Sequence, residues 1–244
     1  MQKTEAEFLR HYNIHDYDVP LASVDLAIFT LVEGELQVLL VERGDHPQKG
    51  RWALPGGFID IRKDKSLEAT AIRKLQEKTG VIAPYVEQVC TVGAPDRDPR
   101  GWSLTVLYMA LIGHAPTLSH VEQVKDARWW PWAEARKLNL AFDHRQLLEA
   151  ARERLKRKTA YTALPVFVLR APFTLTGLQK AFEQLLDAPL EKKSFRRRIE
   201  DAGLLEEVGE TIPEGGRGRP AALFRPKPSA RDHVFSRVLG EGAE

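Results

Sequence analysis

One charged segment bounded by glycines, residues 56–80, constrains the possible fold of this chain more than any other part of the sequence. The segment opens on Gly56-Gly57 and closes on Gly80. In between, apolar residues recur at helical spacing at positions 67, 71, 72 and 75, and Ser66 precedes them as a candidate N-cap. Gly80 suits the left-handed position that ends many helices. The segment therefore predicts a loop followed by one short helix.

Segments rich in β-forming residues surround that helix on both sides. Five of them read as strands, and a further helix is predicted from about residue 143 to residue 156. The predicted strands are two within residues 23–42, then 85–93, 103–113 and 127–132. Strands around one central helix predict a mixed α/β sheet domain.

The character of the sequence changes near Lys156-Arg157-Lys158. Two amphipathic helices are predicted beyond that point, in residues 174–186 and 190–205, separated by Asp187-Ala188-Pro189. A glycine-rich two-stranded ribbon follows around residues 213–226. Helix, turn, helix and hairpin is the order of a winged helix-turn-helix. We predict two domains, residues 1–158 and 159–244.

Composition narrows the class of protein. Hydrophobic residues make up 43% and charged residues 29% of the 244-residue chain, as in soluble globular proteins. No apolar run reaches the roughly 18 residues that a membrane span needs. The charged N-terminus is unlike a signal peptide, and the single Cys90 rules out an internal disulfide. These features predict a cytoplasmic protein.

The segment 56–81 resembles the Nudix box, whose clustered glutamates hold Mg²⁺ against a diphosphate. Aligned on Gly80, the sequence keeps Arg73, Leu75 and Glu77 of that pattern. Lysines occupy three positions where the family has glutamates: Lys65, Lys74 and Lys78. Mg²⁺ requires several oxygen ligands, and ammonium groups repel it. The resemblance implies a Nudix fold, while these lysines predict no metal site, no cofactor and no hydrolase activity.

The two helix lysines, Lys74 and Lys78, allow two interpretations. In the first, they are substitutions without a function on a solvated helix face. In the second, they are cations that replace part of the metal's role and bind a pyrophosphate without cleaving it.

Two further motifs resemble Nudix proteins that recognise ADP-ribose. The loop Asp96–Trp102, with its RDPRG core, offers forked arginine donors for phosphate and an indole face for a base or ribose. The segment 140–144 (LAFDH) recurs in the same proteins, although Asp143 is equally an N-cap and His144 lacks a nearby nucleophile as a catalytic base. We predict that these residues bind ADP-ribose: Arg43, Gly57, Phe58, Arg73, Lys74, Glu77, Lys78, Arg97, Arg100 and Trp102.

A basic run in the second half predicts contact with DNA. If Phe195, Ile199 and Leu204 form the buried stripe, then Arg196 and Arg197 face outward and Lys192, Lys193 and Ser194 lie near the helix start. That arrangement is typical of a recognition helix in the major groove. The alternative is a salt-bridged surface helix, since acidic residues flank the run.

The glycine-rich segment that follows favours the DNA interpretation. Residues 215–220 pair flexible glycines with Arg217 and Arg219, and resemble the GRP core of AT-hook motifs, which bind the minor groove. We therefore add these two arginines to the predicted DNA contacts.

Together, these motifs resemble the Nudix-related regulators of NAD metabolism, the NrtR family. The resemblance implies a bacterial homodimeric repressor of NAD biosynthesis or salvage genes that ADP-ribose releases from double-stranded operator DNA. One alternative is an active Nudix pyrophosphatase with a nucleic-acid-binding tail, whose metal site Asp60, Glu68 and Glu77 would rebuild. Another is a nucleic-acid adaptor with no nucleotide response.

Overall fold

The computed structural model describes residues 4–80, 82–115, 124–213 and 220–239. The strands are β1 Leu21–Val32, β2 Glu35–Arg43, β3 Trp52–Ala53, β4 Gly56–Phe58, β5 Tyr85–Ala94, β6 Ser103–Leu111, β7 Val124–Pro131, β8 Phe173–Thr174, β9 Leu205–Ile212 and β10 Ala221–Pro226. The helices are α1 Glu5–His11, α2 Leu67–Thr79, α3 Trp132–Ala135, α4 His144–Tyr161, α5 Leu175–Leu186 and α6 Lys192–Ala202. Single 3₁₀ turns lie at Ile14–Asp16, Leu164–Phe167 and Pro228–Ala230.

The first seven strands form one sheet with the path β3-β2-β1-β6-β5. β1 and β6 run parallel, whereas the other pairs are antiparallel, with β4 added to β1 and β7 added to β2. The predicted mixed sheet is confirmed.

Side chains alternate between the two faces of this sheet, and each face is covered by a helix. On one face Val24, Leu26 and Ile28 share a core with Ala71 and Leu75 of α2. On the other face, β1 and β6 side chains pack with α4 through residues including Phe29, Met109, Leu148 and Leu155. The result is the α/β sandwich predicted for the first half.

The ends of α2 lie where its sequence predicts them. Ser66 Oγ accepts a hydrogen bond from Ala69 N, and Gly80 takes the left-handed conformation with φ of 68°. In contrast, α4 continues to Tyr161, beyond the predicted end near residue 156. The helix therefore passes through the domain boundary that the sequence predicts between residues 158 and 159. The hydrophobic core around α4 continues into the second half of the chain.

The second half has the winged-helix order. α5 and α6 pack against each other through Phe182 and Phe195, whose ring centroids are 5.2 Å apart. A small antiparallel sheet, β8-β10-β9, follows. The predicted buried stripe is confirmed, because Phe195, Ile199 and Leu204 are each only 2% exposed.

The chain after β10 returns to the helices. Phe235 N donates to Tyr161 O at the end of α4, and the Phe235 ring packs beside Phe182 of α5. Arg198 of α6 donates to the Arg237 carbonyl at 2.8 Å. The tail thus contacts the end of α4 and the middle of α5 and of α6. Across the described ranges, no helix is both long enough and apolar enough to span a membrane.

Candidate functional site

A deep cleft opens at one end of the large sheet, where β1, β2 and β4 meet the 96–102 loop and the start of α4. Its inner end is lined by Asp25 of β1, Leu54 and His144, and its mouth by two arginine–aromatic pairs. A second, shallower cleft adjoins it along α2 and the 59–63 loop. Residues 56–58 and Lys78 line both clefts, so one extended ligand can contact both of them.

The inner end of the deep cleft holds a buried histidine and a buried carboxylate. Leu54 N donates to His144 Nδ1 at 2.9 Å, which fixes the tautomer that carries its hydrogen on Nε2. Burial lowers the pKa of His144, so the ring is neutral at neutral pH. Asp25 Oδ2 accepts a hydrogen bond from Thr105 Oγ1 at 2.8 Å. Asp25 lies directly against Gly56, because a Cβ there would come within 2.3 Å of its Oδ1.

Arg97 lines this cleft, but its donors are already engaged. Its Nε and Nη2 bond the two oxygens of Asp143, each at 2.9 Å, and the side chain is 8% exposed. Asp143 holds the N-cap position of α4, as one interpretation of the LAFDH segment expects, but its side chain makes no capping hydrogen bond. Arg97 instead takes both carboxylate oxygens and anchors the 96–102 loop to α4.

Two stacked pairs flank the mouth of the cleft. The Arg43 guanidinium lies 4.7 Å from the Phe142 ring centroid, and Arg100 lies 5.0 Å from that of Phe58. Arg100 is also held by Asp98, whose Oδ2 it contacts at 2.6 Å. Arg43 donates from Nε to the Pro47 carbonyl and lines the cleft. The mouth therefore offers cations and aromatic faces together, which suits a nucleotide.

The second cleft brings the Nudix-helix residues together. Glu77 of α2 is bonded by Arg73 at 2.8 Å and by Lys74 at 3.1 Å. Arg73 also forms a bidentate pair with Asp64, at 2.7 and 2.6 Å. The Lys74 chain passes over Gly57, where a Cβ would approach its Cε to 3.1 Å.

This donor set does not fit Mg²⁺. Each carboxylate oxygen of Glu77 is taken by a cation, and Lys74 and Lys78 bring two positive charges into the same cleft. Within the part of the chain that the structure describes, no three His, Cys, Asp or Glu side chains gather closely enough to hold a metal ion. The arrangement instead suits an anion, since ammonium and guanidinium groups bind phosphate oxygens directly.

Nine of the ten predicted ligand residues line one cleft or the other, and Trp102 does not. The Trp102 ring lies against Gly93 of β5, where a Cβ would come within 2.9 Å of it, and remains half exposed. Sequence reasoning missed Asp25, Asp64 and Phe142 as members of the site. Only Phe142 carried a signal, since it lies within the LAFDH segment.

The predicted DNA-reading helix presents most of its cations to solvent. Lys192, Lys193, Ser194 and Arg197 are exposed on α6. The outward placement of Arg196 is wrong: its Nη2 donates to Thr176 of α5 at 3.3 Å, and its Nε is buried. Glu191 is the N-cap and accepts from Lys193 N and Ser194 N, and these bonds lower its pKa. Arg217 and Arg219 lie outside the described residues.

Comparison with known proteins matches both halves of the chain. The family model of the NUDIX domain matches residues 23–151, and the family model of the NrtR DNA-binding winged helix domain matches residues 165–225. The ADPR responsive transcriptional repressor NtrR of Acinetobacter baylyi is 47% identical over 97% of this chain and 94% of its own length.

Two crystal structures from Shewanella oneidensis are also similar. The structure of NrtR complexed with a 27mer DNA has a TM-score of 0.83 and 50% identity, over 89% of this chain and 99% of that one. That of the NUDIX domain of NrtR with ADP ribose has a TM-score of 0.60 and 51% identity, over 63% of this chain and 99% of that one.

Proposed function

This chain belongs to the NrtR family of Nudix-related regulators, and we propose that it is a DNA-binding repressor of NAD biosynthesis or salvage genes whose operator complex ADP-ribose dissociates. The observation that carries this proposal is one helix, α4, that begins at the nucleotide cleft and ends against the winged helix. A ligand that shifts α4 would act on α5, which Arg152 of α4 bonds at Asp187, and through α5 on α6, which packs on it at Phe182 and Phe195. An effector requires such a coupling.

The proposed ligand site combines both clefts. Arg43, Arg100 and Phe58 contact the ligand at the mouth of the deep cleft, while Lys74 and Lys78 meet the diphosphate along the second cleft. Arg73, Glu77 and Arg97 hold these groups in position. The position of the two helix lysines in the wall of a cleft supports the interpretation that they bind the pyrophosphate: Lys74 is 16% exposed, and Lys78 is buried.

We infer that the domain does not hydrolyse its ligand. The relative from Acinetobacter baylyi is a repressor by name, and the Nudix carboxylate that remains here, Glu77, is neutralised by two cations. No metal cofactor is required in this proposal. The protein would act in the bacterial cytoplasm, as regulators of DNA do.

The proposed DNA contacts are Lys192, Lys193, Ser194 and Arg197 on α6, with Arg217 and Arg219 following them in sequence. A homodimer would bring two such helices to a palindromic operator, one in each half-site. The winged-helix domain would extend from about residue 159 to the end of the chain.

A gel shift tests the proposal directly. The DNA is the region upstream of the protein's own gene together with promoters of NAD genes, each with and without ADP-ribose. We expect a shift that ADP-ribose abolishes, with the nucleotide recovered intact. Arg197→Ala should lose the shift, while the matched surface variant Arg157→Ala on α4 should retain it. No shift at low salt, or recovery of AMP and ribose phosphate, would instead indicate the pyrophosphatase.

A further inference from the structure

The inner end of the deep cleft contains a donor and an acceptor that face each other without bonding. His144 Nε2 lies 3.8 Å from Asp25 Oδ1, beyond hydrogen-bond distance. Because Nδ1 is bonded by Leu54 N, the Nε2 atom carries a hydrogen, and no described residue accepts it. His144 is 5% exposed and Asp25 6%, yet both line the cleft. A buried donor and a buried carboxylate oxygen are thus left open to a ligand.

A hydroxyl group is the chemical group that satisfies both atoms. Its oxygen accepts from Nε2–H while its hydrogen is donated to Oδ1. An oxygen about 2.8 Å from each atom closes a triangle on the 3.8 Å base. A phosphate oxygen at pH 7 accepts but has no hydrogen to donate, and it would meet the negative charge of Asp25.

The charges along the two clefts give the ligand a direction. At the inner end two carboxylates, Asp25 and Asp143, surround one guanidinium, that of Arg97. At the outer end, Lys74 lies beside Gly57, and Lys78 lines the same cleft. A ligand with an uncharged polyol at one end and an anionic group further along matches this polarity.

We propose that Asp25 and His144 together bind one ribose hydroxyl, and that this contact selects a free ribose over a phosphorylated or deoxygenated one. The inference rests on the proposed function, since it assigns the orientation of ADP-ribose in that same site. The ribose lies at the inner end, and the diphosphate extends towards Lys74 and Lys78.

Titration calorimetry with ADP-ribose and with analogues lacking one ribose hydroxyl each tests the assignment. We expect the wild-type protein to bind one analogue about tenfold or more weakly than ADP-ribose, because that analogue leaves the buried pair unsatisfied. His144→Asn keeps an acceptor for Leu54 N but lacks the Nε2–H. This variant should prefer ADP-ribose over that analogue by clearly less than the wild-type protein does, because the hydroxyl then keeps only its bond to Asp25.

Thr105→Val is the matched control, because it disturbs Asp25 through its other oxygen and leaves Nε2 and Oδ1 in place. It should keep the wild-type preference, and thermal melts should show both variants folded. If the wild-type protein binds every analogue equally, or if His144→Asn keeps the full preference, the hydroxyl contact is wrong while ADP-ribose binding stands. If the wild-type protein binds no ADP-ribose, the proposed function fails with it.

Discussion

Arg152 of α4 donates to Asp187 at the end of α5, with 2.9 Å between Nη2 and Oδ1. Its Nη1 also donates to the Leu185 carbonyl at 2.9 Å, in the last turn of α5. The last carbonyls of a helix lack intrahelical partners, and a cation there complements the helix dipole. Arg152 therefore joins the Nudix half to the first helix of the helix-turn-helix, two turns along the helix that starts at the nucleotide cleft.

Arg152→Ala should loosen this connection. Removing the guanidinium leaves a buried carbonyl without its partner, so we expect a loss of about 2 kcal/mol in the free energy of unfolding. Urea denaturation measures it. Arg157→Ala, on the same helix but bonded only to exposed Glu153, should cost less than about 0.5 kcal/mol. Equal losses in the two variants would contradict a structural role for Arg152.

The sheet, the two core helices and the winged helix could be predicted because each depends on local pattern. Alternation, helical spacing, Ser66 and Gly80 act over a few residues. The errors involve pairs distant in sequence. The side chain of Asp143, the N-cap residue of α4, bonds Arg97, 46 residues away, and makes no capping hydrogen bond. Arg196 turns towards Thr176, because α5 packs against that side of α6. No local pattern reports which partner a charged side chain will meet.

Asp64 should make the fold sensitive to acid. The hydrogen bonds from Arg73 hold the pKa of Asp64 well below its ordinary value. A carboxylate with a lowered pKa in the folded state stabilises the protein above its unfolded pKa, about 3.9, and loses that contribution as pH falls further. Asp64→Asn should therefore reduce stability at pH 7, and the difference from wild type should shrink below about pH 4.

Denaturant titrations at several pH values measure this difference. Asp232→Asn is the control, because Asp232 is exposed and has no hydrogen-bond partner among the described residues. It should leave stability unchanged at each pH. If the loss of unfolding free energy in Asp64→Asn stays constant down to pH 3, the charge of the Asp64 carboxylate is not what stabilises the fold.

Lys74→Glu should weaken ADP-ribose binding by about tenfold or more, since it replaces a phosphate donor with a charge that repels the diphosphate. Lys78→Glu should act in the same direction. Lys137→Glu changes the net charge equally, but Lys137 is 67% exposed and lines neither cleft, so screening should hold its effect to roughly twofold. Titration calorimetry compares the three. Unchanged affinity in both helix variants would show that these lysines do not bind the diphosphate.

Two arginines of α6 should behave differently on operator DNA. Arg197→Ala should weaken binding by about tenfold or more, because Arg197 is an exposed cation on the proposed recognition helix. Arg196→Ala removes the bond to Thr176, so its main effect should be on unfolding rather than on the salt dependence of binding. Fluorescence anisotropy over a range of salt concentrations separates them. A reduced salt slope for Arg196→Ala would place that side chain at the DNA after all.

The tail should hold the helix-turn-helix against α4. Phe235 is 7% exposed and packs beside Phe182, while Leu239 N donates to Ala160 O at 2.7 Å. Phe235→Ala should cost about 3 kcal/mol through lost burial and the cavity it leaves. Val238→Ala is the matched control, because Val238 is 40% exposed and should cost under about 1 kcal/mol. If the tail also positions α6 through Arg198, Phe235→Ala should weaken operator binding while its ADP-ribose affinity stays at the wild-type value. Loss of both affinities together would mean that the substitution unfolds the whole chain, and wild-type DNA binding would show that the tail stabilises the fold without positioning the recognition helix.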